Sequence, residues 1–146
     1  MRAFTLLVAL FAGCADVGQF CTQIGCLDGY NLDFQHDWTE GTYTITVTLD
    51  ADTVTCTGTI PINEASDGCD DDRVQLGLSG SALPVTEQAL SGLVILATDV
   101  TTVDVTVSDG NSTLATKAFT PAWQTSQPNG VDCPPTCRSA SDTWAF

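Results

Sequence analysis

The chain has 146 residues, enough for one domain with a modest core, and 43% of them are hydrophobic. Four Lys and Arg against 18 Asp and Glu give a net charge of −14, and with no basic cluster this excludes contacts to nucleic-acid phosphates and a polybasic membrane patch. A single His removes most metal and acid–base constellations, while 22 Thr with 12 Gly and 6 Pro favour strands joined by turns.

At the start of the chain Arg2 precedes an apolar stretch over 3–11, broken only by Thr5, and then Ala12-Gly13-Cys14. A membrane-spanning helix needs about 20 apolar residues, so this stretch is too short and matches a signal-peptide core instead. The small pair before the cysteine resembles a bacterial lipobox, in which that cysteine is lipidated and becomes the first mature residue. Phe11 stands where Leu is usual. A competing cut follows Ala15, with Gly13 and Ala15 as the small pair. The expected organisation is a lipoprotein signal peptide over 1–13, the lipid-anchored Cys14 with a short tether over 14–29, and a folded domain over 30–146.

Either cut removes Cys14 from a set of seven cysteines. Cys21, Cys26, Cys56, Cys69, Cys133 and Cys137 remain, and an even set in a small exported domain reads as three disulfides. Six cysteines allow 15 connectivities. Cys56–Cys69 is the expected middle bridge, closing an acidic turn. The N-terminal pair bridging the C-terminal pair, which would tie the chain ends together, is preferred to local closure of each.

In chain order, the first strand is expected from Tyr30, with Tyr30, Leu32 and Phe34 alternating against polar neighbours. Residues 42–49 give the clearest period of two: Tyr43, Ile45, Val47 and Leu49 on one side, Thr42, Thr44, Thr46 and Thr48 on the other. Residues 53–60 repeat it with Val54, Cys56, Gly58 and Ile60 inward, and 50–52 join the two as a hairpin loop. Residues 63–72 read as a loop, Val74, Leu76 and Leu78 as a strand, and 80–91 as irregular with one helical turn near 86–90. A short apolar run at 92–97 and a strand through Val103, Val105 and Val107 follow. Asp109-Gly110-Asn111 is a turn, and 114–120 returns as a strand that Pro121 assigns to an edge or a bulge. Residues 127–138 read as loop, and 143–146 closes the sheet with Trp144 inward. Strands about ten residues apart indicate an all-β, antiparallel, Ig-like β-sandwich of seven to nine strands.

Candidate chemistry is sparse. Asp67, Asp70, Asp71 and Asp72 are the candidate ligands for Ca²⁺, a hard cation that takes six to eight oxygens, although Gly68 and the missing downstream Glu do not fit an EF-hand. A solvated loop tip is the alternative. Cys133-Pro-Pro-Thr-Cys137 has three intervening residues, not the two of thioredoxin-type redox motifs, and reads as a disulfide end. His36 beside Asp37 is the one candidate general base, and no Gly-x-Ser-x-Gly elbow accompanies it. Trp38, Trp123 and Trp144 either form a sugar-binding platform or belong to the core. The threonine faces could dock a partner strand or a polymer, or simply be solvated. Asn111-Ser112-Thr113 is a formal glycosylation sequon.

The lipobox, Cys21-Thr-Gln-Ile-Gly-Cys26, Trp38-x-x-Gly-x-Tyr43, Cys56-Thr-Gly-Thr-Ile-Pro61 and Pro128-Asn-Gly-Val-Asp-Cys-Pro-Pro-Thr-Cys-Arg138 together resemble a group of small lipoproteins of myxobacteria and their relatives. The resemblance spans nearly the whole mature chain. It implies an Ig-like exported lipoprotein and supplies no catalytic residues. The expected function is that of a lipid-anchored cell-envelope protein, structural or protein-interacting, on a bacterial outer membrane or cell surface. It is expected to be no enzyme and to use no cofactor. Its expected partners are the membrane, through the anchor, and an envelope protein or glycan, with no nucleic acid. The alternatives are a cation- or carbohydrate-binding module at the cell surface and a freely secreted protein.

Overall fold

The computed structural model describes residues 21–146 apart from Asn111. The expected signal peptide, Cys14, the first part of the expected tether and the sequon asparagine lie outside the described residues. Ten strands form two five-stranded sheets. The first holds β1 (Gly29–Gln35), β5 (Val74–Ser79), β6 (Ala89–Ile95), β9 (Gln124–Ser126) and β10 (Cys137–Ala145), in the order β5-β6-β1-β10-β9. The second holds β2 (Gly41–Leu49), β3 (Asp52–Ile60), β4 (Gly68–Cys69), β7 (Val103–Ser108) and β8 (Thr113–Phe119), in the order β4-β3-β2-β7-β8. The all-β sandwich is as expected, with ten strands where seven to nine were read, because the two- and three-residue edge strands β4 and β9 are too short to show a period.

Alternation dictates the core. Tyr30, Leu32 and Phe34 of β1 face Tyr43, Ile45, Val47 and Leu49 of β2, and Val54, Cys56 and Ile60 of β3 and Val103, Val105 and Val107 of β7 complete the buried layer with Leu90, Leu93, Ile95 and Trp144. The β2–β3 hairpin pairs without interruption from Gly41↔Ile60 to Leu49↔Asp52, so its loop is Asp50-Ala51 alone. Asp50 turns there with φ at 53°, in the left-handed region that Asp tolerates better than most side chains.

Three departures from the sequence reading have physical causes. First, β10 is not the short closing strand at 143–146 but nine residues starting at Cys137, and it pairs parallel with β1, Gly29↔Ser139 to Gln35↔Ala145. Its small polar run Arg138-Ser139-Ala140-Ser141 carries no period of two, so it looked like loop. Second, Ala89 and Leu90 belong to β6 rather than to a helical turn, which is confined to Val85–Glu87. Gly77 pairs with Gly92 but Leu78 with Leu90, so Ser91 is an extra residue. That bulge breaks the alternation that would have revealed the strand. Third, β1 starts at Gly29, and the preceding residues 21–28, although irregular, are covalently pinned rather than trailing.

Two positions set how closely the layers approach and how the edge is guarded. A Cβ at Gly58 would lie 2.7–2.8 Å from the Leu90 methyls of the opposite sheet, so the sheets touch where β3 has no side chain. On edge strand β8, Lys117 pairs with the buried Val105 and so occupies a core-facing position. Its ammonium sits 4.9 Å from the Phe119 ring centroid. A charge on the inner face of an edge strand discourages pairing with another chain, and Pro121 follows where an edge was expected.

Gly58→Ala is expected to destabilise the sandwich by about 1–3 kcal/mol through overpacking, read as a lower urea midpoint. An unchanged midpoint would mean that the layers can separate freely there. Lys117→Val is expected to leave the fold intact and raise the aggregated fraction on concentration, measured by light scattering.

Candidate functional site

All six described cysteines are paired. Cys56–Cys69 joins directly opposed residues of β3 and β4. Cys21–Cys133 and Cys26–Cys137 tie the entry of the first sheet to its exit, with sequence separations of 112 and 111. The expected middle bridge and the end-to-end pairing both stand. A bridge closing roughly a hundred residues removes on the order of 4–5 kcal/mol of unfolded-chain entropy. Once either long bridge exists, the other closes only the small ring made by 21–26 and 133–137.

Around these staples Asn129 works as a clasp. Its Oδ1 accepts from the Thr22 hydroxyl (2.6 Å) and the Ile24 amide (2.8 Å), and its Nδ2 donates to the Ile24 and Pro134 carbonyls. Asp28 Oδ1 accepts the Arg138 amide at 2.6 Å, fixing the start of β10. An open cleft of about 500 Å³ lies between the two segments, lined by Thr22, Ile24, Gly25, Asn129, Pro134 and Pro135. The sequence singled out the cysteines but not Asn129, whose Asn-Gly turn context was its one visible signal.

The acidic loop does not assemble a cation cage. Asp67 accepts from the Thr59 hydroxyl and the Asn63 amide, Asp70 from the Thr55 amide, and Asp71 pairs with Arg73. Each carboxylate thus folds the loop back on β3 or onto its own turn, with Asp72 exposed beside them. Among the described residues no three His, Cys, Asp or Glu side chains are placed to hold a metal ion.

The tryptophans belong to the interior. Trp38 and Trp144 are buried, with Trp38 packed edge-on to Tyr43 at 4.8 Å and Trp144 to Phe34 at 6.0 Å. Trp123 is half-buried, donates to the Val100 carbonyl, and carries the Arg138 guanidinium over its ring. The Trp38-to-Tyr43 turn is held by the Tyr43 hydroxyl, which accepts from the Thr39 amide and donates to the Thr39 carbonyl. That return to the backbone a few residues upstream is the tyrosine-corner device of sandwich folds.

His36 stacks on Phe146 with ring centroids 4.5 Å apart, and its Nδ1 lies 2.7 Å from the Phe146 carbonyl oxygen. It borders an open cleft of about 510 Å³ with Asp37, Glu40, Tyr43, Asp109 and Leu114. Among the described residues no serine, threonine or cysteine side chain is hydrogen-bonded to His36, whose Nδ1 is engaged by the Phe146 carbonyl.

Several polar contacts escaped the sequence reading because they link distant segments. Buried Gln88 accepts from the Ile62 amide and donates to the Leu83 carbonyl, fastening two loops. Tyr30 is fully buried and donates to Asp142 Oδ2 at 2.9 Å. Burial, and then the Asp142 bond and charge, hold its phenol far above the ordinary tyrosine range. Asp50 accepts from the hydroxyls and amides of Thr101 and Thr102, which hold its carboxyl below the ordinary value.

The outer face of the second sheet is the most regular surface. Thr42↔Thr59, Thr44↔Thr57, Thr46↔Thr55 and Thr48↔Thr53 pair across the hairpin, and Thr46↔Thr106 and Thr106↔Thr116 extend one rank over four strands. Within a rank the hydroxyl and methyl groups repeat at the strand spacing of about 4.8 Å, and neighbouring ranks lie about 7 Å apart along the strands.

The bonds that Asp50 accepts from Thr101 and Thr102, and the Arg73 contact that lowers the Asp71 carboxyl, act on groups depressed in the folded state. Their stabilisation is present above the unfolded carboxyl pKa of about 4 and is lost as pH falls through the lower folded values. The melting temperature is therefore expected to drop on acidification from about pH 5 to 2. Asp50→Asn, which keeps a residue suited to the left-handed turn, should show a smaller drop; an equal drop would refute the role of this carboxylate. Comparison with protein-family models, with curated proteins and with solved structures finds no match to this chain.

Proposed function

We propose that the protein is a lipid-anchored cell-envelope protein, held by an acylated Cys14 on a bacterial outer membrane or cell surface, with a structural or protein-interaction role. The observation that carries this reading is the cysteine pairing. The six cysteines after Cys14 bond entirely with one another, so no cysteine remains for Cys14, which follows an apolar leader and a small pair. Three disulfides suit an oxidising compartment outside the cytoplasm. Among the described residues no helix is long and apolar enough to cross a membrane. Attachment through acyl chains gains about 0.8 kcal/mol per buried methylene group.

An interaction role follows from how side chains are used. The acidic loop and the tryptophans, which a cation- or carbohydrate-binding module would use, are engaged in internal contacts. The threonine ranks of the second sheet leave a broad polar face for a partner. Catalysis has no support in the His36 cleft, which lacks a bonded nucleophile.

Intact mass of the native protein before and after reduction and alkylation tests the reading. The expected result is a chain starting at Cys14 with added acyl mass, and six alkylatable thiols that appear only after reduction. A lipid-free chain starting at Asp16 would replace the anchor with free secretion. Thiols alkylated without reduction would sink the three-bridge framework.

A further inference from the structure

The two poles of the sandwich differ in their exposed apolar surface. Six large hydrophobic side chains are substantially exposed among the described residues, and four of them gather at the stapled pole. Leu27 (86% exposed), Val131 (73%) and Ile24 (55%) lie on the two segments joined by the long disulfides. Leu96 follows β6 directly beside Gly29, whose added Cβ would sit 3.7 Å from the Leu96 Cα. Ile24 also lines the mainly apolar cleft beside Pro134 and Pro135. The segments that present them are clamped by disulfides and by Asn129, so docking would order little that is not already ordered.

We propose that this stapled pole rests on the interfacial region of a zwitterionic lipid bilayer, with Leu27, Val131, Ile24 and Leu96 as the contacting side chains. The proposal rests on the anchoring through Cys14 and deepens it by setting the orientation of the domain. Cys14 is seven residues before Cys21, a reach of at most about 25 Å even when fully extended. The longest strands have nine residues and run about 30 Å, so an anchor at Cys14 holds the stapled pole within its tether's reach of the headgroups while the opposite pole can stand clear of them. Tethering at such range raises the local concentration of that surface enough for weak apolar contacts to count. Charge selects the lipid. Asp28, Asp50, Asp52, Asp99 and Asp132 outnumber Arg73 and Arg138 at the same pole, and a chain of net charge −14 is repelled by an anionic surface. Because β1 and β10 run parallel from the stapled pole, the His36 cleft and Phe146 lie at the far end, directed away from the membrane.

The test couples the chain from Cys14 onward, through the Cys14 thiol, to phosphatidylcholine vesicles carrying a maleimide lipid. Docking is then read whether or not the cell acylates Cys14, a question that intact mass answers separately. Backbone hydrogen exchange is compared between coupled and free protein. The expected result is exchange slowed several-fold over 22–28 and 129–136, with 36–42 and 62–68 unchanged. Leu27→Asp with Val131→Asp should abolish the slowing while coupling, disulfide count and melting temperature are kept, since both side chains are mostly exposed. Unchanged exchange at the stapled pole, slowing centred on the threonine face, or slowing that survives in the double variant would each overturn the proposal. Stronger slowing on vesicles rich in phosphatidylglycerol would also overturn it, because charge rather than apolar side chains would then make the contact.

Discussion

The parallel pairing of β1 with β10 is the contact on which the rest of this structure depends. Parallel neighbours need a long connection between them, and here that connection is the whole domain. The first sheet grows outward from this pair: β6 attaches to β1, with β5 beyond it, and β9 attaches to β10. The pair is also where the two long disulfides act, Cys21 and Cys26 preceding β1, Cys133 preceding β10 and Cys137 opening it. Its inner face supplies Tyr30, Leu32, Phe34, Ala140 and Trp144 to the core. A contact between residues more than a hundred positions apart carries a large loop-closure cost, and the covalent links remove that cost from the unfolded chain.

The second sheet is built differently. β2 with β3 and β7 with β8 are neighbours in sequence, joined by short turns, and one long-range pairing between β2 and β7 unites them. Asp50 secures that union from the tip of the hairpin by accepting bonds from Thr101 and Thr102 at the start of β7. The two layers then touch where Gly58 faces Leu90. A sheet stapled by its chain ends thus packs on a sheet assembled from hairpins, and the resulting particle has a covalently closed pole and an open one.

The abundance of carboxylates has a structural outlet that is separate from ligand binding. Asp28, Asp50, Asp67 and Asp70 each accept backbone amides or nearby hydroxyls from strands and loops alike. A small domain with long loops must satisfy such donors, and Asp does so with few rotatable bonds. The same logic places Asn129 and Gln88, which donate and accept at once, between pairs of loops. What remains outward is the threonine face, the far cleft beside His36 and the apolar stapled pole.

The sequence by itself determined the local architecture. The strict alternation in β2, β3 and β7 fixed which side chains enter the core, because a period of two admits one buried face. The cysteine count fixed a three-bridge framework, and Pro121 correctly signalled an edge. Tertiary structure decided everything that depends on which distant segments meet. The parallel β1–β10 partnership, the length of β10, the extra residue at Ser91 and the burial of Trp38 are set by cross-strand neighbours that no window of sequence contains. The four candidate aspartates near 70 looked alike along the chain, yet folding sent Asp67, Asp70 and Asp71 to different partners and left Asp72 exposed. Side-chain chemistry is read locally, but its use is assigned by long-range contacts, and that is why the fold was more legible than the site.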